Sequence, residues 1–138
     1  MDDNLLTHDV VATIGTQTYY IEVAWRNGNF VMDEPPSLNG QDLGPDPYTT
    51  LLASLAGCTL ATLRMYIDRK GWDIPEIKVV MNMRQTTNPL HTHMQRDILL
   101  PDTVDPQQRT RLLAIAESCP VSKILKNPIT IHTQIANP

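Results

Sequence analysis

"LLASLAGCTLATLRMY", residues 51–66, is the stretch on which the reading of the fold turns. From Leu51 to Leu63 it carries no charge, and it holds Cys58, one of only two cysteines. Its borders read as helix ends. Asp46 offers an oxygen cap, and Pro47 suits a first turn, where a missing N–H costs nothing. At the far end Arg69 and Lys70 stand where the helix dipole favours cations, and Gly71 can take the left-handed position that closes a helix. Residues 48–69 are therefore predicted to be helical. A helix apolar on every face has to be covered on every face. One sheet covers one side. Ala53, Ser54, Ala56, Gly57 and Ala61 are small enough to let another backbone approach, so a homodimer partner is expected to supply the second cover. The competing reading is cover by the chain's own second helix.

Working outward, residues 9–14 and 18–25 read as β-branched and aromatic strands with a hairpin turn at Gly15 and Thr16. "NGN" at 27–29 is a turn, and "FVM" at 30–32 starts a third strand. The breaker-rich "DEPPSLNGQDLGPDP", 33–47, is too long for a plain connector. Beyond the helix, 76–84 alternates with Ile77, Val79, Met81 and Met83 on one face, and 92–100 is a second strand after the turn "TTNPL". Asp105, Pro106 and Gln108 make a capping-box start for another helix. A short helix opens at Pro120, and "ITIHTQI", 129–135, alternates as a last strand. Strands in runs rather than βαβ units predict an α+β fold with mostly antiparallel sheet. There is no Gly-rich phosphate loop and no sign of a domain boundary, so 1–138 is expected to be one domain.

The composition is that of a globular chain: 138 residues, 41% hydrophobic and 19% charged. A net charge of -4 provides no basic face for nucleic acid or an anionic membrane. The start, "MDDNLLTHDV", has no apolar signal core, and the run at 51–63 is shorter than the roughly 20 residues of a membrane span. A cytoplasmic protein is expected. In a reducing compartment two cysteines are reactive or simply buried, not a structural staple.

Cys58 and Cys119 are too far apart in sequence for a CxxC motif. Cys119 precedes Pro120. A thiol there would cap a helix, near free N–H groups and with Lys123 one turn on, which favours a thiolate. Cys58 has no such local help and needs a cation from elsewhere. His91 and His93 share a strand face and read as a polar edge rather than a metal site, with no further ligand grouped nearby. His8 and His132 have no partner visible in sequence; a Cys–His hydrolase pairing Cys58 or Cys119 with one of the histidines is conceivable, but nothing fixes which. Asp33 and Glu34 read as turn and solvent carboxylates, and Met81 and Met83 as core.

Taken together, "GPDPYTTLLASLAGCTLATLRMYIDRKGW", "ESCPVSKIL" and "GQDLGP" resemble the OsmC/Ohr family of osmotically inducible and organic-hydroperoxide-resistance proteins, over about residues 25 to 135. The resemblance implies an intertwined α+β homodimer with long central helices between sheets. It implies a thiol peroxidase that reduces organic hydroperoxides to alcohols, with Cys58 peroxidatic and Cys119 resolving. No metal or other cofactor is implied; electrons come from a dithiol reductant. The family's thiolate is held by an arginine from the N-terminal strands, for which Arg26 is the candidate here. That arginine is in turn held by a glutamate at the start of the central helix. This chain has Pro47-Tyr48-Thr49 there, with no carboxylate, and Ser122 where many relatives have histidine. The alternative is a non-catalytic relative that binds a small apolar or lipid-like ligand at the dimer interface.

Overall fold

The computed structural model describes residues 4–138. The chain groups into two compact units, the first running to Leu51 and the second from Leu52 to Pro138.

In the first unit, β1 (Val11–Ile14), β2 (Ile21–Trp25) and β3 (Gly28–Met32) form an antiparallel meander in that order. The second strand begins three residues later than the sequence predicts, because a turn in which the Tyr20 amide bonds the Gln17 carbonyl occupies its expected start. Trp25 pairs with Gly28, so Arg26 and Asn27 are the two residues of a tight hairpin turn. The long loop after β3 is organised around Asp33, which is buried. Its carboxylate accepts the amides of Glu34, Gln41 and Leu43. Burial pushes this carboxyl up, and the three amides more than offset it, holding the pKa below the ordinary value. Asp33 is thus a turn residue as expected, but not a solvent one. Gly44 is required here, since a Cβ would stand 2.1 Å from the Val31 carbonyl oxygen.

The helix α1 (Pro47–Lys70) has the predicted borders within one residue. Asp46 accepts from the Thr49 hydroxyl at its start. At its end Gly71 takes φ +70° and the Trp72 amide reaches back to the Ile67 carbonyl. It is the one helix among the described residues long and apolar enough to cross a membrane. In the second unit, however, its Leu63, Tyr66 and Ile67 are core residues, packed with Ile74, Val104, Leu112 and Ala116.

The hairpin β4 (Lys78–Thr87) and β5 (Leu90–Leu99) is antiparallel in one unbroken register, from Lys78 opposite Leu99 to Thr87 opposite Leu90. Val79, Met81 and Met83 share one face, as the alternation predicts, but Met81 and Met83 are half-buried and outside the core cluster rather than in it. Next comes α2 (Pro106–Glu117). It carries the full capping box: Gln108's amide bonds the Asp105 carboxylate at 2.8 Å, and Asp105's amide bonds the Gln108 side chain at 3.1 Å. The last helix is α3 (Pro120–Lys126). The α+β class and its antiparallel sheets follow the sequence reading. The predicted strand at 129–135 does not form. Among the described residues nothing pairs with this segment, and a strand exists only against a neighbour that accepts its ladder. Its Ile131 is 83% exposed.

Candidate functional site

The site lies wholly within the second unit, where α1, β5 and the start of α3 converge. Cys119 is fully buried and is the N-cap of α3, with extended φ and ψ of −64° and 145°. Two successive amides of the following turn serve the two sulfurs. The Ser122 amide donates to Cys119 Sγ at 3.4 Å, and the Val121 amide donates to Cys58 Sγ at 3.5 Å. One turn of backbone thus bonds to both sulfurs, far apart in sequence. Both thiols are free, Cys58 half-buried and Cys119 buried.

Burial pushes the Cys119 thiol up. The Ser122 hydroxyl and amide, the Thr59 hydroxyl and the Cys58 thiol all favour the thiolate and bring it down to about 7 from 9.0. Thr59 stands on α1 next to Cys58, fully buried. Its Oγ1 donates to the Leu55 carbonyl at 2.7 Å and lies 3.8 Å from Cys119 Sγ.

One residue of this cluster has no place in the sequence reading. Arg96, on β5, donates from Nη1 to Thr59 Oγ1 at 2.9 Å and to Ser122 Oγ at 2.8 Å, and the same nitrogen stands 3.9 Å from Cys119 Sγ. Its side chain is only 12% exposed. Glu117, at the end of α2, holds its Nη2 at 3.7 Å, and the other carboxylate oxygen pairs with Lys126. Lys126 first, and then Arg96, hold the Glu117 carboxyl below its ordinary range. The signal that could have found Arg96 is the alternation of "THMQRDILL". Met94, Ile98 and Leu100 share its face, and an arginine on an apolar face needs buried partners.

The other sequence candidates fall elsewhere. Arg26 is exposed in the β2–β3 turn of the first unit, and makes no side-chain hydrogen bond or ion pair among the described residues. Lys123 is exposed on α3. His91 and His93 do share a strand face, with rings stacked at 4.3 Å near the hairpin end. Burial, then Arg84 and His91, lower the His93 pKa. No group of three or more His, Cys, Asp or Glu side chains among the described residues could surround a metal ion.

The sequence model of the OsmC-like protein family matches residues 40–134, well over half the chain and both cysteines included. The chain belongs to the OsmC-like family. Solved OsmC-like structures share its fold. An osmotic stress and detoxification response protein of Psychrobacter arcticus superposes with a TM-score of 0.72 at 19% identity, over 88% of this chain and 89% of that one. An organic hydroperoxide resistance protein of Legionella pneumophila gives 0.67 at 16%, over 90% and 92%. The corresponding protein of Bacillus subtilis gives 0.61 at 20%, over 89% and 93%. Set against curated proteins by sequence, this OsmC-like chain has no match.

Proposed function

We propose that the protein is a thiol-dependent peroxidase that reduces organic hydroperoxides through Cys58 and Cys119. The observation that carries this is the meeting of the two sulfurs on the Val121–Ser122 amides, beside an arginine. Organic hydroperoxide resistance proteins among the structures of the same fold support it. Cys58 is the less buried sulfur and is assigned the attack. Its thiolate displaces the alkoxide from the distal peroxide oxygen, giving a sulfenic acid and, after protonation, the alcohol. Cys119 then displaces hydroxide from the Cys58 sulfenic sulfur to form a disulfide. A dithiol reductant restores both thiols and leaves as its own disulfide. By the family resemblance, Arg26 remains the proposed supporting cation for the thiolate. The cycle needs a compartment that keeps thiols reduced, which suits the cytoplasm. We also assign the active form as a homodimer, because α1 leaves Ala53, Ser54, Gly57, Ala61 and Met65 exposed along one face.

The test is consumption of cumene hydroperoxide with dithiothreitol as donor. Steady turnover is expected, lost in Cys58→Ser. One equivalent of peroxide without donor should give a Cys58–Cys119 peptide lighter by two hydrogens on a non-reduced map. Absence of turnover, with an acyl-type ligand retained by the purified protein, would instead identify a binding protein.

A further inference from the structure

We propose that Arg96 is the positioning residue that stabilises Cys119 as a thiolate, acting at the sulfur and through the hydroxyls of Thr59 and Ser122. For its chemical consequence the inference rests on the peroxidase reading. Its geometry does not.

Arg96 Nη1 has two protons. They serve three acceptors, Thr59 Oγ1 at 2.9 Å, Ser122 Oγ at 2.8 Å and, more distantly, Cys119 Sγ at 3.9 Å. Each hydroxyl oxygen accepts from a cation and keeps its own proton to give away. The Ser122 amide donates to Cys119 Sγ at 3.4 Å, and its hydroxyl, polarised by the guanidinium, favours the thiolate beside it. The Thr59 proton has two takers, the Leu55 carbonyl at 2.7 Å and Cys119 Sγ at 3.8 Å, so it can turn to the sulfur as negative charge develops. The guanidinium also donates from Nη1 to the sulfur itself at 3.9 Å, a long bond that brings its charge alongside. Among the described residues, the charged and titratable groups tied to Cys119 directly or through Arg96 are Cys58 on α1, Arg96 on β5, Glu117 on α2 and Lys126 on α3, with Lys123 exposed on the same helix. Glu117 sits 3.7 Å from Arg96 and shares its charge with Lys126. It fixes the guanidinium without cancelling it at the sulfur.

This wiring serves the later steps of the cycle. As a thiolate, Cys119 attacks the Cys58 sulfenic sulfur directly. The S–S bond forms, the S–O bond breaks, and hydroxide leaves as water after taking a proton. On reduction, a donor thiolate attacks the less buried Cys58 sulfur. The S–S electron pair goes to Cys119, the sulfur whose anion is stabilised and which therefore leaves faster. The second donor thiolate then displaces Cys58.

The test reads Cys119 without peroxide. In a Cys58→Ser background the ultraviolet thiolate absorbance reports Cys119 alone, and its midpoint is expected below the ordinary 9.0. Arg96→Gln should raise it by about one pH unit or more, the usual effect of losing a neighbouring cation. Arg96→Lys should raise it too, because an ammonium does not reach both hydroxyls as a planar fork does. Ser122→Ala should also raise it, and Arg96→Gln with Ser122→Ala should give less than the sum of the two shifts. Full additivity would overturn the relay, and an unmoved midpoint would overturn the role of Arg96. If Arg96→Gln does not fold, Arg96→Lys and Ser122→Ala carry the same decision. With Cys58 restored, Arg96→Gln should accumulate Cys58 sulfinic acid under organic peroxide. A protein that consumes no peroxide yet shows these midpoint shifts would overturn the peroxidase reading alone. One that turns over peroxide with no shift would overturn this inference alone.

Discussion

Ser122 and Thr59 do at the residue scale what a helix terminus alone would do weakly. Each adds a hydroxyl to a sulfur that has no contact with water. The consequence for stability has a definite sign. The folded Cys119 pKa is depressed, from 9.0 to about 7, so its ionisation stabilises the fold fully above pH 9 and not below pH 7. The stability of Cys58→Ser minus that of the double variant Cys58→Ser/Cys119→Ala should therefore grow as the pH rises from 7 to 9. Urea denaturation at several pH values measures it. A difference that stays flat with pH would mean that the thiolate is not favoured in the fold. The cysteines themselves were legible in the sequence, because each sits in a distinctive local motif. Arg96 was not: its meaning depends on Thr59 and Ser122, which lie 37 and 26 residues away and which only the folded chain brings to it. Position 49 is instructive in another way. Thr49 was expected to matter as a missing carboxylate, and it bonds Asp46 at the helix start.

At the scale of elements, what the sequence declared well was whatever its neighbours in the chain control. The Asp105–Gln108 capping box, the Asp46–Pro47 start and the left-handed Gly71 are satisfied within one turn, and all three appear where the residues predict. The start of β2 and the segment 129–135 were misread because a strand answers to its partner as much as to its own alternation. The same logic identifies where the second unit is held. Leu63 is fully buried among Tyr66, Ile67, Ile74, Leu112 and Ala116, at the middle of the helix that also carries Cys58 and Thr59. Leu63→Ala leaves a cavity that close packing cannot fill, and should cost about 3 kcal/mol. Thermal unfolding followed by far-ultraviolet circular dichroism would show it. A loss under about 1 kcal/mol would mean that the site can collapse around the missing side chain and that α1 is less firmly seated than its burial implies.

At the scale of the whole molecule, the charge-free helix remains to be covered. The second unit covers Leu55, Thr59, Leu63, Tyr66 and Ile67, and leaves Ala53, Ser54, Gly57, Ala61 and Met65 exposed. The unpaired segment 129–135 adds Ile129, Ile131 and Ile135 to the exposed apolar surface. The proposed second copy of the chain would account for both, in an interface expected to exceed the roughly 2,000 Å² at which obligate contacts begin. Gly57 separates this account from its rival. In one chain, a Cβ at Gly57 meets nothing within 4 Å. Leucine there suits a helix better than glycine, so Gly57→Leu should stabilise an isolated chain by about 0.5–1 kcal/mol. Where a partner's backbone approaches the same spot, the added side chain overpacks the contact, at a cost of about 1–3 kcal/mol. The dimer should then dissociate roughly tenfold more readily, since each 1.4 kcal/mol is about a factor of ten. Sedimentation equilibrium on wild type and Gly57→Leu decides the matter. Weaker association of a chain that is itself no less stable places a second copy on this face of α1. Equal or tighter association, or a wild type that sediments as a monomer at micromolar concentration, removes it.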